Sequence, residues 1–221
     1  LAEAGVARAS DLVIACDDAT NAEVLSVAQG IARAAGRAPL RASVHLVDPQ
    51  LSRLLRASEL GAGTGDVRCD FFNVFQRGSR LWLAETDPFR ERADGRPPHI
   101  VIVGVGRLGE GIAVSAAQEW AEHMDDGAEP LRLTIVDPEA GERFRAMRVR
   151  HPALVSCTQA EAIDYDADRP DPVAAVALDD LLGGGTVTTV FVCDEDDTLA
   201  LSTALAVCHG LGSTEATVGV R

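Results

Sequence analysis

The residues best placed to do chemistry in this chain are glycines. Gly104-Val105-Gly106-Arg107-Leu108-Gly109 follows Ile100-Val101-Ile102-Val103, a β-branched run with the composition of a strand covered on both faces. A helical pattern (Leu108, Ile112, Ala116) begins at once after the turn. Glycines spaced G-x-G-x-x-G between a strand and a helix form the arrangement that cradles a pyrophosphate. In that arrangement Gly104 makes the tight turn and Gly106 lets backbone approach the ligand. Gly109 lets the helix lie close on the strand, with its first-turn N–H groups aimed at an anion.

Other chemistries are narrowed by composition. The formal charge of −14 argues against non-specific binding to nucleic acid or to an anionic membrane face. All 20 basic residues are arginine, which excludes a lysine Schiff base, a P-loop lysine or a lysine general base. Cys16, Cys69, Cys157, Cys193 and Cys208 have no metal-ligand spacing and read as reduced, buried small hydrophobes in a cytosolic setting. The acidic clusters Asp17-Asp18 and Asp194-Glu195-Asp196-Asp197 read as helix-start caps in preference to a cation site. None of His45, His99, His123, His151 and His209 has a local catalytic signature, and His99 reads as a satisfied boundary residue. No apolar run reaches the ~18 residues of a membrane span, and no signal peptide is recognisable. The start at Leu1, in mid-pattern and without methionine, reads as part of something longer.

The elements that must position the turn can be taken in order. A strand is expected over Asp11–Cys16, a helix over Ala22–Ala35 ending at Gly36, and an alternating strand over Leu40–Val47. A helix over Gln50–Leu60, a flexible glycine-rich stretch at 61–65 and an extended piece over Asp66–Phe71 follow. Four of the six phenylalanines lie between Phe71 and Phe89, and a helix over Phe72–Thr86 would gather Phe72, Phe75, Ser79, Trp82 and Leu83 on one face. That face is a candidate subunit or subdomain contact, with core packing as the alternative. Asp87–Pro98 carries prolines, a glycine and charges and reads as a linker.

Beyond the glycine turn, a helix to about Met124, an acidic loop at 125–130, a strand over Leu131–Asp137 and an arginine-rich helix are expected. A third strand is expected to end at Ser156-Cys157-Thr158-Gln159, with 164–172 loose. A helix over Val173–Leu182, a strand over Val187–Cys193, a helix over Asp197–His209 and a last strand over Ala216–Val220 complete the series. Alternation of strand and helix throughout predicts an α/β fold, a doubly wound parallel sheet of the Rossmann type.

Two segments repeat. Asp11-Leu12-Val13-Ile14-Ala15-Cys16-Asp17-Asp18 matches Thr188-Thr189-Val190-Phe191-Val192-Cys193-Asp194-Glu195, with the two cysteines 177 residues apart. A helix follows each, and Leu40–Val47 then corresponds to Ala216–Val220. Residues 1 to about 72 therefore read as the back half of one α/β unit, and 99–221 as the front and middle of another.

At this point the chain resembles the RCK family, the TrkA-N or KTN domains that regulate potassium conductance. The resemblance is carried by Val101-Ile102-Val103-Gly104-Val105-Gly106-Arg107-Leu108-Gly109, with arginine inside the turn, and by Val13-Ile14-Ala15-Cys16-Asp17-Asp18-Ala19-Thr20-Asn21 at a strand end. It implies a partial tandem: 1–86 as the C-terminal part of a first RCK-type unit with its crossover helix, 87–98 as a linker, and 99–221 as a second unit. It also implies phosphate contacts from Gly104, Gly106, Arg107, Leu108 and Gly109, and a ribose-hydroxyl acceptor in Asp137. A carboxylate there favours NAD or another adenine nucleotide over a 2′-phosphorylated form. Cytoplasmic placement, pairing as a homodimer or higher oligomer, and a channel or transporter membrane subunit as partner are further implications, with any tether to the membrane lying outside this sequence.

The chain departs from the family pattern twice. Asp137 lies 28 residues after Gly109, where ~20 is usual. The expected third-strand end at 156–159 also lacks the Gly-Asp that the family often carries.

Three functions compete on these residues: a ligand-sensing regulator, the cofactor domain of an NAD-dependent oxidoreductase, and a scaffold that binds nothing. A hydride enzyme needs a proton donor, commonly a Tyr–Lys pair or a His with a carboxylate. With no lysine and a single tyrosine, Tyr165, in a polar stretch, the regulator is the expectation and catalysis is not.

Overall fold

The structure, a computed structural model, describes residues 5–36, 39–62, 67–90, 95–123, 129–166, 172–212 and 215–220. The elements are β1 (Asp11–Ile14), α1 (Asp18–Ala35), β2 (Leu40–His45), α2 (Pro49–Ala62), β3 (Val67–Phe72), α3 (Val74–Thr86), β4 (His99–Val103) and α4 (Arg107–His123). They continue with β5 (Leu131–Asp137), α5 (Ala140–Arg150), α6 (Ala153–Ser156), β6 (Thr158–Asp164), α7 (Pro172–Gly183), β7 (Thr189–Val192), α8 (Asp197–Leu211) and β8 (Thr217–Val220). The chain is α/β, with two all-parallel sheets flanked by helices in the Rossmann-like manner. The loops expected at 61–65, 87–98, 125–130 and 164–172 lie partly outside the described residues.

Two compact units divide between Arg77 and Gly78, within α3. The described part of the stretch expected as a linker belongs to the second unit's packing. Pro88 is buried and the Phe89 ring lies 5.9 Å from that of Trp120.

The first unit is a three-stranded sheet in the order β1-β2-β3. Right-handed crossovers in one direction put both helices on one face. There Leu25 of α1, with Leu51 and Leu55 of α2, packs on Ile14, Ala42, Val44 and Phe71. The opposite face presents Arg41, Arg68 and Asp70, together with Val13, which is 70% exposed. This accounts for the alternation of β2 and β3, since strands wound on one side need only every second residue apolar.

The second unit is a five-stranded sheet in the order β6-β5-β4-β7-β8. Strand order runs outward in both directions from the β4/β7 pair, so helices cover both faces. Ile100, Ile102, Leu131, Leu133 and Ile135 face α4 and α5, along with Leu83 of α3. Val101, Val190 and Val192 face α7 and α8. β4 is therefore buried on both sides, as its unbroken β-branched run requires.

Three expectations are corrected. Phe72 closes β3 and so does not belong to the helical face of α3. On α3, Trp82 stacks on Phe191 at 5.9 Å and Leu83 is 1% exposed, so that part of the aromatic face is core of its own unit. Residues 153–156 form a helical turn, and the third strand of the second unit is β6, pairing with β5 from Leu131↔Thr158 to Asp137↔Asp164. Its alternation of exposed and half-buried residues is that of an edge strand, which the polar residues Gln159, Glu161 and Asp164 hid in the sequence.

Candidate functional site

The glycine turn sits at the C-terminal end of β4, where the strand order reverses and α/β sheets bind ligands. Gly104 has φ +85°, a left-handed conformation that disfavours any side chain. A Cβ there would also lie 3.1 Å from the Asp194 amide nitrogen and 3.2 Å from the Cys193 carbonyl carbon, in the segment leaving β7. A Cβ on Gly109 would fall on the carbonyl oxygen of Gly104 and come within 3.2 Å of Ile102 Cγ2. Both glycines are thus required by packing, one across the β4/β7 pair and one between α4 and its strand.

Gly106 differs. The closest atom to a Cβ there is Oε1 of the exposed Glu195, at 3.4 Å, so nothing in the fold itself demands glycine. Arg107 opens α4 on the exposed side, Leu108 packs partly against the core, and the amide of Glu110 donates to Gly106 O at 2.9 Å. Glu110 is in turn bound by Arg150 (2.9 Å) and His151 (3.2 Å).

Asp137 ends β5 beside the turn, its side chain 6% exposed. Its Oδ2 accepts from the Val105 amide at 2.8 Å, and its Oδ1 accepts from the Glu139 amide at 3.0 Å. Arg143 Nε lies 3.1 Å from the same Oδ1, and its Nη1 donates to Val105 O at 2.9 Å. Glu139 Oε2 completes the group, 3.5 Å from Arg143 Nη2. The carboxylate and the guanidinium thus take the amide and the carbonyl of Val105, clamping the turn between them.

The true end of the third strand lies next to this clamp. Asp164 pairs in register with Asp137, its Oδ1 accepts from the Gly141 amide at 2.8 Å, and the Tyr165 amide donates to Asp137 O at 3.0 Å. A carboxylate therefore does stand at the strand end where sequence reasoning placed Cys157. The signal for it was the period-two pattern of residues 158–164.

No family model matches the chain, and no curated protein or solved structure matches it.

The remaining sequence candidates have structural work. Asp17 caps α1, accepting from the amide (2.9 Å) and hydroxyl (2.6 Å) of Thr20, and the hydroxyl bond holds its carboxyl below the usual range. Asp18 accepts from the amides of Val47 and Asp48 at 2.9 and 2.7 Å. Asn21, fully buried, binds the amide and carbonyl of Cys16 and the carbonyl of His45. The Asp-Asp-x-Thr-Asn run is thus a device for joining α1 to the ends of β1 and β2. Asp196 caps α8 by accepting from the amides of Thr198 and Leu199.

His99 lies at the other end of β4, with Nε2 2.9 Å from Thr134 Oγ1 and Nδ1 3.3 Å from Thr186 Oγ1. Burial, helped by the charge of Arg132, pushes its pKa down to about 4. Among the cysteines Cys193 is buried as expected, but Cys16 and Cys208 are exposed, Cys16 because β1 stops at Ile14. No helix among the described residues is long and apolar enough to cross a membrane, and no His, Cys, Asp and Glu there group as a metal site.

Chemically, this site offers backbone amides and a helix start at Gly106–Gly109, and the exposed polar groups of Arg143 and Glu139 beside them. Near the turn His151 and Glu110 form a His–carboxylate pair whose carboxylate is shared with Arg150.

Proposed function

We propose that the second unit binds an adenine nucleotide, NAD or a relative, at Gly104–Gly109, and that the chain is a ligand-sensing regulatory module of a potassium channel or transporter. The observation that carries the binding part is Gly106. Gly104 and Gly109 are demanded by the fold, whereas the absence of a side chain at Gly106 serves no packing purpose and leaves backbone open at the head of α4. Arg107 and Leu108, in the first turn of α4, complete the phosphate-facing segment.

The transport part is supported by the RCK-like motifs and by the repeat, since β1-α1-β2 and β7-α8-β8 share parallel pairing and an aspartate cap on the connecting helix. In this role the protein is cytoplasmic, pairs with itself, and acts on a membrane subunit. The nucleotide is an effector, binding unequally to two arrangements of the assembly, because a ligand that binds both equally shifts nothing.

Calorimetric titration of NAD, ADP and ATP into wild type and Gly106→Val tests the site. Saturable heat in the wild type, lost in the variant while its thermal unfolding is unchanged, supports it. Absence of heat for all three ligands overturns it.

A further inference from the structure

We infer that Arg143, rather than Asp137 alone, determines how this site reads the 2′ position of a nucleotide ribose; the inference rests on the glycine turn being a nucleotide site. In the usual arrangement the acid at the end of the second strand offers its oxygens to the two ribose hydroxyls. Here most of that capacity is taken. A carboxylate has about four acceptor positions, and three of those on Asp137 meet the Val105 amide, the Glu139 amide and Arg143 Nε.

The exposed member of the pair is the guanidinium, 44% exposed against 6% for the carboxylate. An incoming ligand at this strand end therefore meets Arg143 and the exposed Glu139 before it meets Asp137.

The two ribose forms respond to that guanidinium to different degrees. A diol competes with it for Asp137 as a donor and can accept from it only a hydrogen bond on a neutral oxygen. A 2′-phosphate offers acceptor oxygens that a planar guanidinium binds well. The cluster of Asp137, Glu139 and Arg143 carries one net negative charge, so wild type still favours the free hydroxyl. Arg143 reduces that preference by taking one acceptor position on Asp137 and by giving a phosphate one cation. Its removal frees Asp137 for the diol and leaves two carboxylates facing a phosphate, so discrimination sharpens.

The test is the ratio of dissociation constants, NADP over NAD, by calorimetry. We expect Arg143→Gln to raise the ratio about tenfold, the order of one charge-assisted hydrogen bond at a half-exposed group. Arg143→Lys, which keeps the charge, recovers most of the wild-type ratio, an effect that loss of a merely structural contact would not produce. Glu139→Gln, at an exposed side chain whose loss leaves the fold intact, relieves Arg143 of its outer acid and lowers the ratio severalfold. This second variant keeps the test alive should the glutamine at 143 impair folding. Unchanged ratios in Arg143→Gln and Glu139→Gln, with both ligands still binding, overturn the role of Arg143. If neither ligand binds wild type, the nucleotide reading itself fails, and this inference with it.

Discussion

Val105 and Asp137, 32 residues apart in sequence, are joined by a 2.8 Å hydrogen bond from the turn amide to a buried carboxylate oxygen. A buried amide that loses its acceptor bears the full desolvation cost, and here the guanidinium of Arg143 loses one of its partners too. Asp137→Ala is expected to destabilise the fold by about 2–4 kcal/mol. Asp137→Asn keeps an acceptor for Val105 but gives up the ion pair and turns an NH2 toward the Glu139 amide, so it recovers only part of the loss. Urea midpoints of the two variants check this. Equal losses would mean that the charge, and not the turn bond, is what matters.

The three glycines of the turn should separate by their surroundings. Gly109→Ala places a methyl on the Gly104 carbonyl, and Gly104→Ala combines a positive φ with backbone of the Cys193–Asp194 segment at 3.1–3.2 Å. Each should cost about 2–3 kcal/mol or prevent folding. Gly106→Ala meets only the movable end of Glu195 and should stay within about 0.5 kcal/mol of wild type. Thermal unfolding of the three variants distinguishes a glycine kept for packing from one kept for access.

In the first unit, Asn21→Ala removes three bonds to the Cys16 and His45 backbone from a fully buried position. A loss of about 2–4 kcal/mol is expected, with Asn21→Asp hardly better because a carboxylate cannot donate to the two carbonyls. Chemical denaturation of both variants is the measurement. Tolerance of alanine at this position would show that α1 is held to the strand ends by other means.

What was legible in the sequence followed from patterns with one reading. β4 is a continuous apolar run and β5 an apolar run broken only by Arg132 and Thr134, and α4 begins within the glycine motif, so the turn and its place between strand and helix could be read directly. β6 could not, because an edge strand needs only half its residues apolar. The nearby run Ala153-Leu154-Val155 looked more like a strand, yet it follows Pro152 and folds as a helical turn. The Asp137–Arg143 pair was hidden for another reason. The sequence places an arginine six residues after an acid on a new element, but only the start of α5 at Ala140 brings it back over the turn. Likewise the Asp-Asp-x-Thr-Asn run could be picked out as a motif at a strand end, while the bonds Asn21 makes depend on β2 arriving beside β1.

His99 gives a pH signature that belongs to the fold and not to the ligand site. Its pKa is about 4 in the folded protein against about 6.5 unfolded, so the unfolded chain binds the extra proton first. Stability is then complete above about pH 7 and declines as pH falls through the window between the two values. The loss between pH 7 and 5 is about 2 kcal/mol. His99→Gln, which can still bond to Thr134, should remove that part of the slope. Urea denaturation of wild type and variant at pH 7, 6 and 5 checks it, with the difference between the two proteins isolating this histidine from the carboxylates.

The last expectation concerns what the bound nucleotide does. Hydride transfer needs a proton donor held against the reacting carbonyl. Tyr165, the chain's one tyrosine, is fixed just after β6 by its amide bond to Asp137 O, on the β5 side of the turn. His99 lies at the far end of β4, and the carboxylate that His151 meets, Glu110, is shared with Arg150 at 2.9 Å. The groups nearest the β7 side of the turn are the carboxylates Asp194 and Glu195. Binding without turnover is therefore the expected behaviour. Reduced NAD should bind with the same stoichiometry as the oxidised form and keep its absorbance in the presence of small aldehydes and ketones. The tryptophans of the second unit, Trp82 and Trp120, offer a fluorescence signal for the binding itself. A steady, protein-dependent loss of the reduced cofactor's absorbance, abolished by Gly106→Val, would overturn the effector role in favour of an oxidoreductase.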